Sequence, residues 1–205
     1  MIRHHFYEPR HGHGLRHDPL NAIVAPRPIG WIGSLSATGV RNLAPYSFFN
    51  LFNYHPPIIG FASTEIKDSA ANIAATGEFT WNLATRGLAE AMNASSATVA
   101  GEVDEFELAG LVAAPSRLIA APRVAASPVS FECRLTQQFA LTDAAGAATG
   151  AWMTLGEVVA VHIDQAMLDD GVYATARAQP IVRGGGVGDY FEITEDRLFT
   201  MRRPR

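Results

Sequence analysis

Apolar residues along this chain fall in short bounded runs or alternate with polar ones, which predicts strands more often than helices. Residues 29–35 and 40–49 are two such runs, and Ala37-Thr38-Gly39 between them supplies a turn. Residues 57–63 are a short apolar run that predicts a buried strand, and residues 78–83 predict another. Residues 130–141 and 151–163 are the longest later strands, joined by the Ala- and Gly-rich loop 143–150. Helical stretches are few and brief. Asp68 is placed to cap a helix through 69–76, which Gly77 stops. Residues 88–93 predict a short helix and 105–110 a helical turn. Most strands are linked by turns rather than helical crossovers, so the fold class is mainly β: an antiparallel barrel rather than a doubly wound parallel sheet.

Size and charge narrow the picture. The 205 residues suit one domain, and no Pro/Gly/Ser-rich linker divides them into two cores. Residues 1–17 stand apart as an arm rich in histidine (His4, His5, His11, His13, His17) with Gly12 and Gly14 between, and residues 18–205 form the domain. The glycines work against orienting four ligands, so no closed metal site is expected in the arm. Its expected role is to pack across the body or a partner subunit. A net charge of −4 and no clustered basic face exclude general nucleic-acid binding. No apolar run approaches the ~20 residues of a membrane helix, and the charged N-terminus lacks a signal-peptide core. Cys133, the only cysteine, lies in an alternating segment and is expected in or near the core. A cytoplasmic location is the expectation.

Two constellations could carry chemistry. The first is the polar, proline-interrupted exit of the opening hairpin. Pro45 has no backbone donor, so the ladder is expected to break there and free neighbouring N–H and C=O groups for a ligand. Ser34, Ser36, Asn42 and Ser47 crowd the break, while Trp31, Tyr46, Phe48 and Phe49 add flat apolar surface. A flat, heteroatom-edged ligand suits these groups; a ligand-free bulge fits them equally. The second is Ser63-Thr-Glu-Ile-Lys67-Asp68-Ser69, where a strand ends and a helix begins. A helix start stabilises phosphate, Lys67 adds charge, and Ser63 and Ser69 add hydroxyls. An ordinary capped helix with a solvated lysine is the alternative. His162 ends an apolar strand before Asp164 and is either structural or a donor at a strand rim. Residues 184–188 are glycine-rich but are followed by Asp189 and no long helix, so they are no dinucleotide fingerprint. Walker, His-Glu-x-x-His, paired-cysteine and nucleophile-elbow patterns are absent.

The segments Asn42-Leu-Ala-Pro-Tyr-Ser-Phe-Phe49, Pro56-Pro57, Lys67-Asp-Ser-Ala-Ala-Asn-Ile73, Glu78-Phe-Thr-Trp-Asn-Leu-Ala84, Gly156-Glu-Val-Val-Ala-Val-His-Ile163 and Pro180-Ile-Val-Arg183 occur in one order across residues 18–191. Together they resemble the flavin-reductase-like, FMN-binding split-barrel family. The resemblance implies an antiparallel split β-barrel with non-covalent FMN at a homodimer interface. NADH or NADPH is the implied electron donor, and free flavin, oxygen, a partner oxygenase or a small organic molecule the acceptor. It implies flavin contacts from Arg27, Trp31, Ser34, Asn42, Leu43, Ala44, Ser47, Phe48, Ala62, Ser63, Lys67, Asp68 and Ser69. Backbone N–H groups of 42–45 would face the ring, Lys67 and Ser69 the phosphate, with Arg27 a second cation. His162 is implied on the nicotinamide or substrate side. Residues 184–188 depart from the family by having more glycine, which suggests a looser segment or a wider cavity. An FMN-holding electron carrier without NAD(P)H oxidation, and a flavin-free barrel, remain open alternatives.

Overall fold

The computed structural model describes residues 2–204. Strands of four or more residues are β1 Gly30–Leu35, β2 Arg41–Tyr46, β3 Phe49–Tyr54, β4 Pro57–Ser63, β5 Glu78–Asn82, β6 Val129–Thr142, β7 Ala148–Ile163, β8 Ile181–Gly185 and β9 Asp189–Glu192. The α-helices are α1 Leu20–Ile23, α2 Asp68–Thr76, α3 Ala89–Ala94 and α4 Glu105–Leu108. Seven strands form one antiparallel sheet in the order β2-β1-β5-β6-β7-β4-β3, and β8, β9 and the short strand Arg27–Pro28 make a second sheet.

The centre of the large sheet is buried on both faces. Along β1, Ile32 joins Ile59, Phe61, Ile73, Phe79, Trp81 and Cys133 in one core, while its neighbour Trp31 joins Leu43, Met92, Phe106 and Val124 in another. That is why β1 reads as a continuous apolar run rather than an alternating one. Cys133 is fully buried, and that burial pushes its thiol well above the ordinary value. Helix α2 sets Ala70 and Ile73 against the sheet and ends at Gly77, whose φ of 73° lets its N–H reach Ile73 O at 2.8 Å.

Three expectations need correction. First, the ladder does not break at Pro45: β2 runs through it, and Pro45 pairs with Trp31. An edge strand tolerates proline when the missing N–H points away from its neighbour. The run assigned to 40–49 is instead two strands, since Ser47 and Phe48 bend and β3 begins at Phe49. Second, Asp68 does not cap α2. Lys67 holds the N-cap position with extended backbone and no side-chain cap, and Asp68 is the first helical residue. Third, the glycine-rich segment does not border the candidate cleft described below. It closes the β8–β9 hairpin, and Gly185 (φ 108°) passes so near α1 that a Cβ would lie 2.6 Å from Ala22 Cα.

Candidate functional site

A cleft of about 590 Å³ opens where the β2–β3 bend, the end of β4, the start of α2 and the loop 95–99 meet. Its walls include Asn42, Ala44, Ser47, Phe48, Ala62, Ser63, Lys67, Asp68 and Ser69, so nine of the sequence-derived candidates come together. The volume lies within the range of small-molecule sites.

Its floor is a buried polar network. Asn42 Oδ1 accepts from Ser69 Oγ at 2.7 Å and Ser34 Oγ at 3.1 Å, and Asn42 Nδ2 donates to Glu105 Oε1 at 3.0 Å. The other Glu105 oxygen accepts the Leu43 N–H at 3.2 Å. Burial pushes the Glu105 carboxyl above its ordinary value; the hydrogen bonds from its own backbone, Leu43 and Asn42 pull the other way, and Asp68 adds to the rise. Tyr46 also lines the cleft. Burial raises its hydroxyl, while hydrogen bonding to Ser69 and Ser63 works against that rise.

This network fixes where backbone donors can be. Leu43 turns its N–H outward to Glu105, so ladder alternation turns those of Asn42, Ala44 and Tyr46 inward to β1. Pro45 has none. The N–H groups expected to be free at 42–45 are therefore already engaged. Those of Ser47 and Phe48, in the bend, find no protein acceptor among the described residues. The first-turn N–H groups of α2 likewise lack a side-chain cap. Lys67 stands at the lip, half-exposed, with Nζ 3.3 Å from a Glu65 oxygen.

The remaining candidates lie around this site or away from it. Trp31 is fully buried and donates from Nε1 to Ser95 Oγ at 2.9 Å, supporting a wall residue from behind. Leu43 is a core side chain and Ser34 is buried beneath Asn42. Arg27 sits behind the wall: its guanidinium lies over the Phe48 ring, 5.6 Å from the centroid, and donates to Ser47 O, Asn21 O and Val24 O. It braces the bend instead of lining the cleft.

His162 is far from this site within the chain. Trp152 pairs with Ser63 at the cleft end of β7, and His162 lies ten residues further along, about 30 Å at strand rise. Its Nε2 is 2.6 Å from Glu132 Oε1. Glu132 is fully buried and also accepts the N–H groups of Arg117 and Leu118, each at 2.7 Å. Burial works to raise this carboxyl, but the bonds from Arg117, His162 and Leu118 outweigh it and hold it below the ordinary value. Sequence reasoning missed Glu105 and the loop 95–99 as cleft walls. No local pattern marks them, because both arrive from distant chain.

The family described as "Flavin reductase like domain" matches residues 24–181. Among solved structures, nitrilotriacetate monooxygenase component B from Bacillus cereus superposes with a TM-score of 0.81 at 28% identity, covering 89% of this chain and 90% of that one. The 2-nitrobenzoate 2-nitroreductase NbaA of Pseudomonas fluorescens gives 0.79 at 29%, covering 90% and 88%. A Shewanella frigidimarina NCIMB 400 structure described as having a split barrel domain gives 0.76 at 24%, covering 91% and 89%. The strand-dominated architecture is thus a split barrel, as expected from the sequence. With residues 24–181, most of its length, matched by this one family, the chain belongs to the flavin reductase like family.

Proposed function

We propose that the cleft binds FMN and that the protein is an NAD(P)H-dependent flavin reductase, delivering electrons to free flavin, oxygen, a small acceptor or an oxygenase partner. The observation that carries this is the meeting of an uncapped nine-residue helix start, Lys67 and the Ser63 and Ser69 hydroxyls with the apolar faces of Pro45 and Phe48 in one cleft. These residues fit a flat ring joined to a phosphate monoester. The α2 N–H groups and Lys67 suit the phosphate, and Phe48, braced by Arg27, suits the ring. Ser47 and Phe48 N–H are the backbone donors left for ring heteroatoms. The three carboxylates nearby do not exclude an anion. Glu65 faces Lys67, Glu105 is held by Asn42 and Leu43, and Asp68 turns towards Gly101, whose Cβ, if present, would lie 3.1 Å from Asp68 Oδ1.

Bound flavin would accept a hydride from the nicotinamide and pass electrons on. The chain's own part is to orient the ring, hold the phosphate and keep the buried Asn42–Glu105 floor rigid. Within one chain, His162 takes no part at this cleft. We further propose a homodimer and a cytoplasmic location. An apolar depression bordered by Trp81, Phe131, Val161, Ile163 and Tyr173 supports the former, with Val161 more than half exposed and Ile163 40% exposed. No helix among the described residues is long and apolar enough to cross a membrane.

The test is anaerobic mixing of FMN-loaded protein with NADH or NADPH. Bleaching of the flavin band by either supports the reductase. FMN binding without bleaching by either selects the electron-carrier alternative, and failure to bind FMN overturns the cofactor assignment. Light scattering at low concentration tests the dimer; a monomer that still binds FMN rules out a shared site.

A further inference from the structure

A second polar depression, of about 450 Å³, lies at the far end of β7 among Arg117, Arg123, Ser127, His162 and Asp164. Its charges are unusually arranged. Neither Arg117 nor Arg123 has a carboxylate within ion-pair distance among the described residues. The acid closest to hand, Glu132, is already used by two backbone N–H groups and His162. Asp164 is committed to capping the turn that follows, accepting the Ala166 N–H at 2.9 Å. Arg123 donates from Nη2 to Pro115 O at 2.9 Å, yet its buried Nε has no partner. It is the only such side-chain atom among the described residues.

Two guanidiniums therefore share one concavity without an ion-pair contact: Glu132 attracts Arg123 from beneath, Arg117 repels it, and one buried donor is left unused. An unpaired buried donor is costly and rare in folded proteins. An oxyanion in the depression lessens the repulsion between the two guanidiniums and suits the outer N–H groups of their planar forks, Arg123 Nε itself being too buried to reach it. His162, fixed by Glu132, presents the rest of its ring at the same rim.

We propose that Arg117 and Arg123, with His162 beside them, form a second ligand site, separate from the cleft within the chain, for the phosphate or carboxylate group of a small molecule. The site does not depend on what fills the cleft. It gives the protein a means of holding an anionic reactant, or an anionic regulator, away from the β2–β3 bend.

The test uses purified protein with FMN in saturating amount, so that added anions cannot report from the cleft. The protein is titrated with inorganic phosphate and, separately, with acetate, at ionic strength held constant with chloride. The readouts are the Arg Nε–H signals in NMR spectra and the melting temperature. The expected result is a saturable shift of the Arg123 Nε–H signal and a rise in melting temperature beyond that of the chloride control. Arg123→Gln should weaken binding at least tenfold, and Arg117→Gln/Arg123→Gln should abolish it. Response to phosphate alone assigns a phosphate site, to acetate alone a carboxylate site, and to both a general oxyanion site. A response equal to that of chloride, or one that survives in the double variant, overturns the proposal. Since Arg123→Gln removes an unsatisfied donor, the variants should fold, and their own melting temperatures check this.

Discussion

Replacing Glu132 by Gln tests whether the group at the end of β7 is a structural anchor. Three donors converge on this one buried carboxylate: the N–H groups of Arg117 and Leu118 and the imidazole of His162. A Gln keeps one acceptor oxygen and turns an NH2 group against a donor. One lost charge-assisted bond is worth ~1.5–3 kcal/mol, and a buried donor left bare costs ~1–3 kcal/mol. The sum points to a loss of about 3–4 kcal/mol, or about 10 °C in melting temperature for a chain of this length. The loss should also depend on pH. Glu132 is held below its ordinary value in the folded state, so its contribution is present above the unfolded carboxyl value of ~4.3 and disappears as pH falls through the lower folded value. Thermal melts of wild type and Glu132→Gln, at fixed protein and FMN concentration, should therefore differ most near neutral pH and converge in acid. A gap below ~1 kcal/mol at neutral pH, or one unchanged down to strong acid, would refute this account.

Three further outcomes are expected. Lys67→Ala should weaken FMN binding only about three- to tenfold, because the ammonium is half-exposed and shared with Glu65; equilibrium titration that finds no change would move the phosphate away from α2. His162→Asn should lower the melting temperature through loss of its Glu132 contact while leaving FMN affinity unchanged; slowed flavin reduction with normal stability would instead bring His162 to the reacting groups, across a subunit interface. Gly156→Ala should destabilise by about 2–3 kcal/mol through overpacking, since the new Cβ would lie 2.3 Å from Phe79 Cε1 and 3.1 Å from Arg134 O; a melt within a degree of wild type would show that β7 can shift there freely.

The parts of this molecule legible in its sequence are those whose cause is local. The Ala37-Thr38-Gly39 turn, the Gly77 stop of α2 and the two long strands joined by 143–150 each carry their own signal, and the structure places them within a few residues of expectation. Strand β3 was missed because Asn50, Asn53 and the Pro56-Pro57 pair hide any alternation; it is a strand because β4 offers it an edge. Site residues divide the same way. Lys67, Ser69 and the 42–48 segment could be grouped from motif order. Glu105 could not, since its place under Asn42 depends on a chain excursion of more than sixty residues. His162 looked like a rim residue because the sequence shows a strand ending. Its partner lies thirty residues back on β6 and is brought diagonally opposite by the register shift between Val158 and Ala160.

The outward alternation of β2 has a further consequence. An edge strand normally invites another chain to add to the sheet, and such addition drives aggregation. From Asn42 to Tyr46 this edge offers a newcomer no N–H at all: three point inward, one is held by Glu105, and Pro45 has none. A second strand cannot zip onto it, so the mouth of the cleft stays open to small molecules even where the protein is crowded.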